Sequence, residues 1–271
     1  MTILDSLLLG IVQGATEFLP ISSSGHLVLM REFLGINTQG GLAFDAILQL
    51  GTALAVIIYF RRTVVDLIKK TCLMLIGKGK QVEGRDRSLI IGLVAGTLPA
   101  IATGVLLEDI MATIFRNVTL VALMLVSGGL LMLAAEKKAT QKLQQPSVKQ
   151  GWWIGWFQTL ALVPGVSRSG ATISGGLVMG LTREAAARFS FLLSIPIIAG
   201  SGMKKLFDVM HGGSADAGML QISLGFIAAF AVGLFCIDFL MKYLKRHTLH
   251  AFVWYRFGLA MLTFLLFFLK P

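Results

Sequence analysis

The 271-residue chain is 55% hydrophobic and 14% charged, with a mean hydropathy of +0.79, whereas a soluble domain carries about a quarter charged residues. This excludes a soluble globular protein and places the chain in a bilayer. The net charge of +10 is not the footprint of a nucleic-acid binder, because eight, four and three of the 24 basic residues fall in the stretches 61–87, 137–149 and 242–246, between apolar runs. Such clustering marks cytoplasmic loops beside anionic lipid, and no nucleic-acid partner is expected. Met1–Asp5 lacks a basic leader, so no removable signal peptide is read. Cys72 and Cys236 are far apart, and no Cys/His spacing resembles a zinc or haem site.

In chain order, the first apolar segment covers residues 4–19, and a shorter one runs from Leu27 to Leu34. Between them lies a polar knot, Phe18-Leu-Pro20-Ile-Ser22-Ser23-Ser24-Gly25-His26, preceded by Gln13 and Glu17 one helical turn apart. Full spans need about 20 apolar residues, so this pattern predicts a re-entrant helix-loop-helix whose irregular backbone is sheltered by protein. A full span is expected from Leu42 to Phe60, carrying Asp45 and Gln49 on one face, followed by a basic loop over 61–87. Further spans are expected at 89–107, with Pro99 kinking it, and at 118–135.

Residues 139–150 read as a polar linker. A second interrupted segment follows, Trp152 to Val163, then Pro164-Gly-Val-Ser167-Arg168-Ser169-Gly170, then Ala171 to Leu181. Spans at 189–203, 219–241 and 251–269 complete the chain. An offset of 145 residues pairs Gln13 with Gln158, Ser22 with Ser167, Ser24 with Ser169 and Gly25 with Gly170. After a loop-length change, Gly92 is expected to pair with Gly225. The chain thus reads as a single polytopic domain over 1–271, with repeat 1 at about 1–138 and repeat 2 at about 151–271. Each half has one re-entrant element and three full spans. Three crossings are odd, so the second half starts from the opposite face: an all-α membrane protein with an inverted-topology repeat, six full transmembrane helices and two re-entrant elements. All three basic stretches then share one side, with Lys204-Lys205 falling on the other.

Each knot places Ser-x-Ser-Gly just before a short helix, a pattern whose free amides and hydroxyls suit an anion. Ser22, Ser24, Gly25, Ser167, Ser169 and Gly170 are therefore the phosphate-binding candidates, with Thr172 at the start of the second short helix a secondary candidate that helix-helix hydrogen bonding explains equally well. Positions shared by both halves can serve the shared fold, while chemistry needs unlike groups. The unlike positions are Glu17 against Leu162, Ser23 against Arg168 and His26 against Ala171. Arg168 is equipped to grip phosphate oxygens bidentately. Glu17 suits a general base, a cation ligand or an orienting partner of His26. His26 titrates near neutrality and suits proton transfer. Ser23 is the preferred nucleophile, with a metal-bound or Glu-activated water as the open alternative. Tyr255-Arg256 sets a fixed charge in the last span, and Trp152, Trp153 and Trp156 suit an interfacial belt. From these features alone, a lipid-phosphate phosphatase and an anionic-lipid transporter or flippase remain equally open, because inverted repeats with broken helices are also transporter anatomy.

The run Gln13-x-x-x-Glu17-Phe-Leu-Pro-Ile-Ser-Ser-Ser-Gly-His26, together with Pro164-Gly-Val-Ser167-Arg168-Ser169-Gly-Ala-Thr172, resembles the bacitracin-resistance family of undecaprenyl-diphosphate phosphatases. The likeness covers essentially the whole chain, including Phe44-Asp45 to Gly51 and Phe189 to Leu193. The family's first acidic position is Gln13 here. The resemblance implies hydrolysis of undecaprenyl diphosphate to the monophosphate carrier of cell-wall synthesis. It also implies a divalent cation, magnesium or calcium, with Glu17 and Gln13 as candidate ligands. Glu17, Ser23, His26 and Arg168 are then catalytic, in a site open to the periplasmic face of a bacterial inner membrane. The partners implied are undecaprenyl diphosphate and membrane lipid, with a homodimer left open.

Overall fold

A computed structural model describes residues 1–36, 41–107, 117–210 and 217–269. Within them the chain is helical, and its extended pairing is an isolated bridge between Leu143 and Leu181. The helices are α1 (Ile3–Phe18), α2 (Ser23–Leu34), α3 (Gly41–Tyr59), α4 (Arg61–Leu75), α5 (Gly84–Leu106), α6 (Val118–Lys138), α7 (Val148–Leu160), α8 (Arg168–Val178), α9 (Arg183–Met210), α10 (Met219–Tyr243) and α11 (His250–Leu269). Five of them, α5, α6, α9, α10 and α11, are long and apolar enough to cross a bilayer. The pair α3 and α4 is long and apolar enough only together, with a bend of 85° between them, and α3 supplies the sixth crossing. The chain is a multi-pass membrane protein.

The stretch expected as a basic loop is a correction: residues 61–75 form α4, and Gly79–Gln81 a turn of 3₁₀ helix. Arg61, Arg62, Lys69 and Lys70 mask its apolar residues from any hydropathy average. The helical signal is the spacing of Val65, Ile68, Cys72 and Leu75, all exposed on a helix with no buried residue, as on a helix lying in a membrane interface. Lys70 fastens it to the next span through Asp66 at 2.6 Å and Asp86 at 2.7 Å, and both carboxylates hold its ammonium above the usual lysine range. The expected kink site, Pro99, lies inside an unbroken α5.

Contacts between elements set their directions. At one end, Glu136 closing α6 receives Arg183 from the start of α9 and the Leu249 amide before α11. Lys245 after α10 meets Glu184, and Arg188 meets Thr63 of α4. This end gathers the three basic stretches. At the other end, Arg31 closing α2 grips Asp45 near the start of α3 with two bonds of 2.6 Å. Helix α7 starts at the basic end, where its Gly151 lies against Gly92 of α5. Helix α1 starts at the opposite end, running alongside α10 from Gly10 against Gly225 to Gly14 against Gly233. The two broken segments therefore enter from opposite ends.

The halves repeat each other closely. Helix α1 opens on a capping box of Thr2 and Asp5, and α7 on one of Ser147 and Gln150, the same positions 145 residues on. Helix α1 packs on α10 as α7 packs on α5. A Cβ at Gly10 would lie 2.4 Å from the Gly225 carbonyl oxygen, and one at Gly155 equally 2.4 Å from that of Gly96. The expected pairing of Gly92 with Gly225 thus shifts by one turn. Gly225 corresponds to Gly96, an offset of 129 that also pairs Ala100 with Ala229 and Gly104 with Gly233. A repeat of small residues every fourth position made the two registers look alike.

The core shared by the halves lies beneath the two loops. Phe18 at the end of α1 meets Phe191 of α9 edge-on, with ring centroids 5.3 Å apart, and both are fully buried. Ile21, Met132, Ile173, Leu177, Ile237 and Val253 belong to the same cluster. In lipid, such packing and close backbone approach carry helix association. Gly155→Ala should therefore lower stability by about 1–3 kcal/mol through overpacking. Gly258→Ala, where a Cβ meets nothing within 4 Å, should leave it unchanged or slightly raised. Thermal unfolding of the purified protein in detergent checks both.

Candidate active site

Pro20 ends α1, since the residue before a proline is pushed out of the helical region, and Leu19 is extended at φ −64°, ψ 137°. Helix α2 begins at Ser23 after the cap residue Ser22, and α8 begins at Arg168 after its twin Ser167. Both caps take the same unusual backbone, φ 77° at each, a left-handed conformation that costs a non-glycine residue about 1–3 kcal/mol. Each cap hydroxyl accepts the amide three residues on: Gly25 to Ser22 Oγ at 3.3 Å and Gly170 to Ser167 Oγ at 3.1 Å. Ser22 and Ser24 hydroxyls lie 3.4 Å apart, and Ser167 and Ser169 hydroxyls 3.1 Å apart. Ser169 also donates to the Leu19 carbonyl at 3.2 Å, tying the second loop to the first. The predicted twin helix starts are thus matched in detail, and the first-turn amides at each have no carbonyl behind them to accept their protons.

Glu17 is where the halves meet. Its carboxylate is buried and accepts from Gln13 Nε2 at 2.8 Å, Ser23 Oγ at 2.6 Å and Arg168 Nη2 at 2.8 Å. A carboxylate has only acceptors, so the Ser23 proton already points at Glu17. The second terminal nitrogen of Arg168, Nη1, is buried without a hydrogen-bond partner. Buried donors are rarely left unpaired, and this one belongs to a group suited to phosphate oxygens. Four residues singled out from sequence (Gln13, Glu17, Ser23 and Arg168) therefore form one connected cluster.

His26 lies one turn further along α2 and faces elsewhere. Its Nδ1 is 2.7 Å from the Ser22 carbonyl oxygen and its Nε2 is 2.8 Å from Tyr255 Oη. Thr172 sits inside α8, its hydroxyl donating to the Arg168 carbonyl at 2.7 Å and sharing a 2.6 Å bond with Ser190. It braces the helix that carries Arg168.

For a cation, the oxygens at hand are Glu17 and Gln13 Oε1, which is buried and without a hydrogen-bond partner. Among the described residues no group of three or more His, Cys, Asp or Glu stands together. Magnesium is commonly bound through one or two carboxylates plus substrate phosphates; one carboxylate, which already accepts three hydrogen bonds, and one amide oxygen face it here.

Sequence reasoning gave Arg256 only a fixed charge in the last span. In the structure it is fully buried and donates to four carbonyls: Leu125 at 3.0 Å, Pro20 at 3.2 Å, Met124 at 3.2 Å and Gly165 at 2.8 Å. Pro20 belongs to the first loop and Gly165 to the second. A Cβ at Gly128 would lie 2.1 Å from Arg256 Nη2, so that glycine makes room for the guanidinium. The available signal was an arginine in the middle of an apolar span, which is expensive unless satisfied. Arg256→Met would leave these carbonyls to find new partners and should cost at least about 3 kcal/mol. Gly128→Ala should destabilise in the same direction by displacing the guanidinium. Both effects are read as lowered unfolding temperatures in detergent.

A family model described as bacitracin resistance protein BacA matches residues 6–262. The undecaprenyl-diphosphatase of Renibacterium salmoninarum is 42% identical over 270 residues, covering 97% of this chain and 95% of that protein. Those of Rubrobacter xylanophilus, 43% identical over 267 residues, and Elusimicrobium minutum, 44% identical over 262, each cover 97% of both chains. Matched along nearly its whole length, the chain belongs to the BacA family of bacitracin resistance proteins.

Proposed function

We propose that this chain is an undecaprenyl-diphosphatase: it hydrolyses undecaprenyl diphosphate to undecaprenyl phosphate and inorganic phosphate. This recycles the lipid carrier for peptidoglycan synthesis and confers resistance to bacitracin. The supporting comparison is a set of relatives of that name matching nearly end to end. The geometric observation that carries the chemistry is the 2.6 Å bond from Ser23 Oγ to a carboxylate that also holds Arg168.

In this reading the terminal phosphate lies against Arg168 Nη1 and the first-turn amides of α2 and α8, where helix dipoles and a guanidinium favour negative charge. Ser23 Oγ attacks the terminal phosphorus as its proton passes to Glu17. The bond from phosphorus to the bridging oxygen breaks, and its electron pair leaves with undecaprenyl phosphate. Water then splits the serine phosphoester, its proton passing toward His26 while Glu17 returns its own proton to the leaving Ser23 oxygen. A divalent cation, magnesium or calcium, would be held by Glu17 and Gln13 Oε1 and would supply further neutralisation of phosphate charge. By the positive-inside rule the basic end is cytoplasmic, and the site opens toward the periplasmic face of the bacterial inner membrane.

Purified protein with magnesium should release phosphate from a long-chain isoprenyl diphosphate. Glu17→Ala, Ser23→Ala and Arg168→Ala should each lower kcat by at least about a hundredfold. Mass spectrometry of acid-quenched enzyme should find phosphate on Ser23; turnover with Ser23 never phosphorylated would point to direct attack by water. Folded protein that binds an isoprenyl phosphate and releases no inorganic phosphate would support a transporter instead.

Gln13→Glu tests the cation ligands. A second carboxylate beside Glu17 should lower the magnesium concentration for half-maximal activity. If Gln13 is only a brace, the variant should lose activity with no change in magnesium dependence.

A further inference from the structure

We propose that the Tyr255 hydroxyl is the proton relay to His26, fixing the tautomer of the imidazole and handing it the proton of the hydrolytic water in the reaction assigned above, on which this inference rests. The argument begins at Ser22, whose carbonyl oxygen can only accept. The imidazole nitrogen 2.7 Å from it, Nδ1, must therefore carry a proton. In neutral histidine Nε2 then holds the lone pair, and the Tyr255 hydroxyl 2.8 Å away donates to it. The two rings are nearly parallel, with 6° between their planes. Bonds at both nitrogens fix which one is basic, and its lone pair is taken by the Tyr255 hydroxyl, so a proton from water reaches Nε2 through that hydroxyl, which passes its own proton to the imidazole as it accepts the new one.

Three further observations separate this role from packing. Tyr255 is 48% exposed, so its ring fills no core volume, and the specific contact is the hydroxyl. Ser23 directs its own proton to Glu17, which leaves His26 outside that network and dependent on other groups for its orientation. The offset of 129 that relates Gly96 to Gly225 also relates Gly129 of α6 to Gly258 of α11. It sets Tyr255 opposite Val126, so this hydroxyl, like Glu17, Ser23 and His26, has no twin in the other half.

Tyr255→Phe removes only the hydroxyl. It should lower kcat about tenfold, the rate equivalent of one neutral hydrogen bond, with KM within twofold and an unchanged unfolding temperature. In a His26→Gln background the same substitution should change kcat by less than twofold, because Tyr255 acts through the imidazole. A kcat for Tyr255→Phe within twofold of the parent, or equal losses in both backgrounds, would overturn the proposal. An independent measurement needs no turnover. In ¹⁵N-histidine-labelled protein in nanodiscs, with the His26 signal assigned by its loss in His26→Gln, the parent should show the Nδ1–H tautomer. Tyr255→Phe should show an averaged ring. A tautomer signal unmoved by the substitution would sink the proposal even if the phosphatase reading stands. An inactive parent with the predicted tautomer change would sink the phosphatase reading alone.

Discussion

The structure depends on the single guanidinium of Arg256. Two loops between half-helices leave carbonyls without helical partners, and away from bulk water each unsatisfied group costs several kcal/mol. Arg256 answers one carbonyl from each loop, Pro20 and Gly165, and two from α6, Met124 and Leu125. Arginine alone among the side chains offers five donors in a rigid plane, so neither lysine nor a ring of serines could span these acceptors. With the loops held in this way, Glu17 from one half comes within 2.8 Å of Arg168 from the other.

The twin caps carry a strained backbone of their own. A serine at φ 77° is strained, and both Ser22 and Ser167 adopt it. The conformation turns each chain sharply from the end of one half-helix to the start of the next, so both helix starts face the centre. The cap hydroxyls recover part of the cost by accepting the Gly25 and Gly170 amides. The shared serines thus build the frame. The unlike residues within that frame, Glu17, Ser23 and Arg168, are the ones joined to each other.

Much of this was legible in the sequence because membrane insertion is a strict filter on pattern. The broken segments, the full spans and the basic end follow from the lengths of apolar runs and the placement of charge. The twin Ser-x-Ser-Gly turns keep the same offset because each is built on the same strained cap. What was not legible depended on direction within a helix or on partners far along the chain. Helix α4 was hidden because its lysines and arginines outweigh its apolar stripe in an average. The Gly92/Gly225 register failed because Gly92 and Gly96 are one turn apart and chemically identical. Asp45 reads in the sequence as a polar residue on one face of a span, whereas its partner Arg31 lies 14 positions earlier on another helix. The roles of Arg256 and Tyr255 required knowing that α11 passes behind both loops.

The separation of Glu17 from His26 divides the proposed chemistry into two proton routes. Had both groups faced Ser23, one would be redundant in the attack and the other would compete for the same hydroxyl. Instead Ser23 has a carboxylate partner that is already held by an arginine. His26 is aimed by backbone on one side and a phenol on the other. A diphosphatase that passes through a phosphorylated serine needs a base twice, first for the serine and then for water. Two differently held bases meet that need, Glu17 returning its proton to the serine oxygen while the other receives the proton of water. The inverted repeat makes this arrangement accessible: two copies of one frame supply the anion-binding helix starts, and divergence at a few unlike positions supplies the rest.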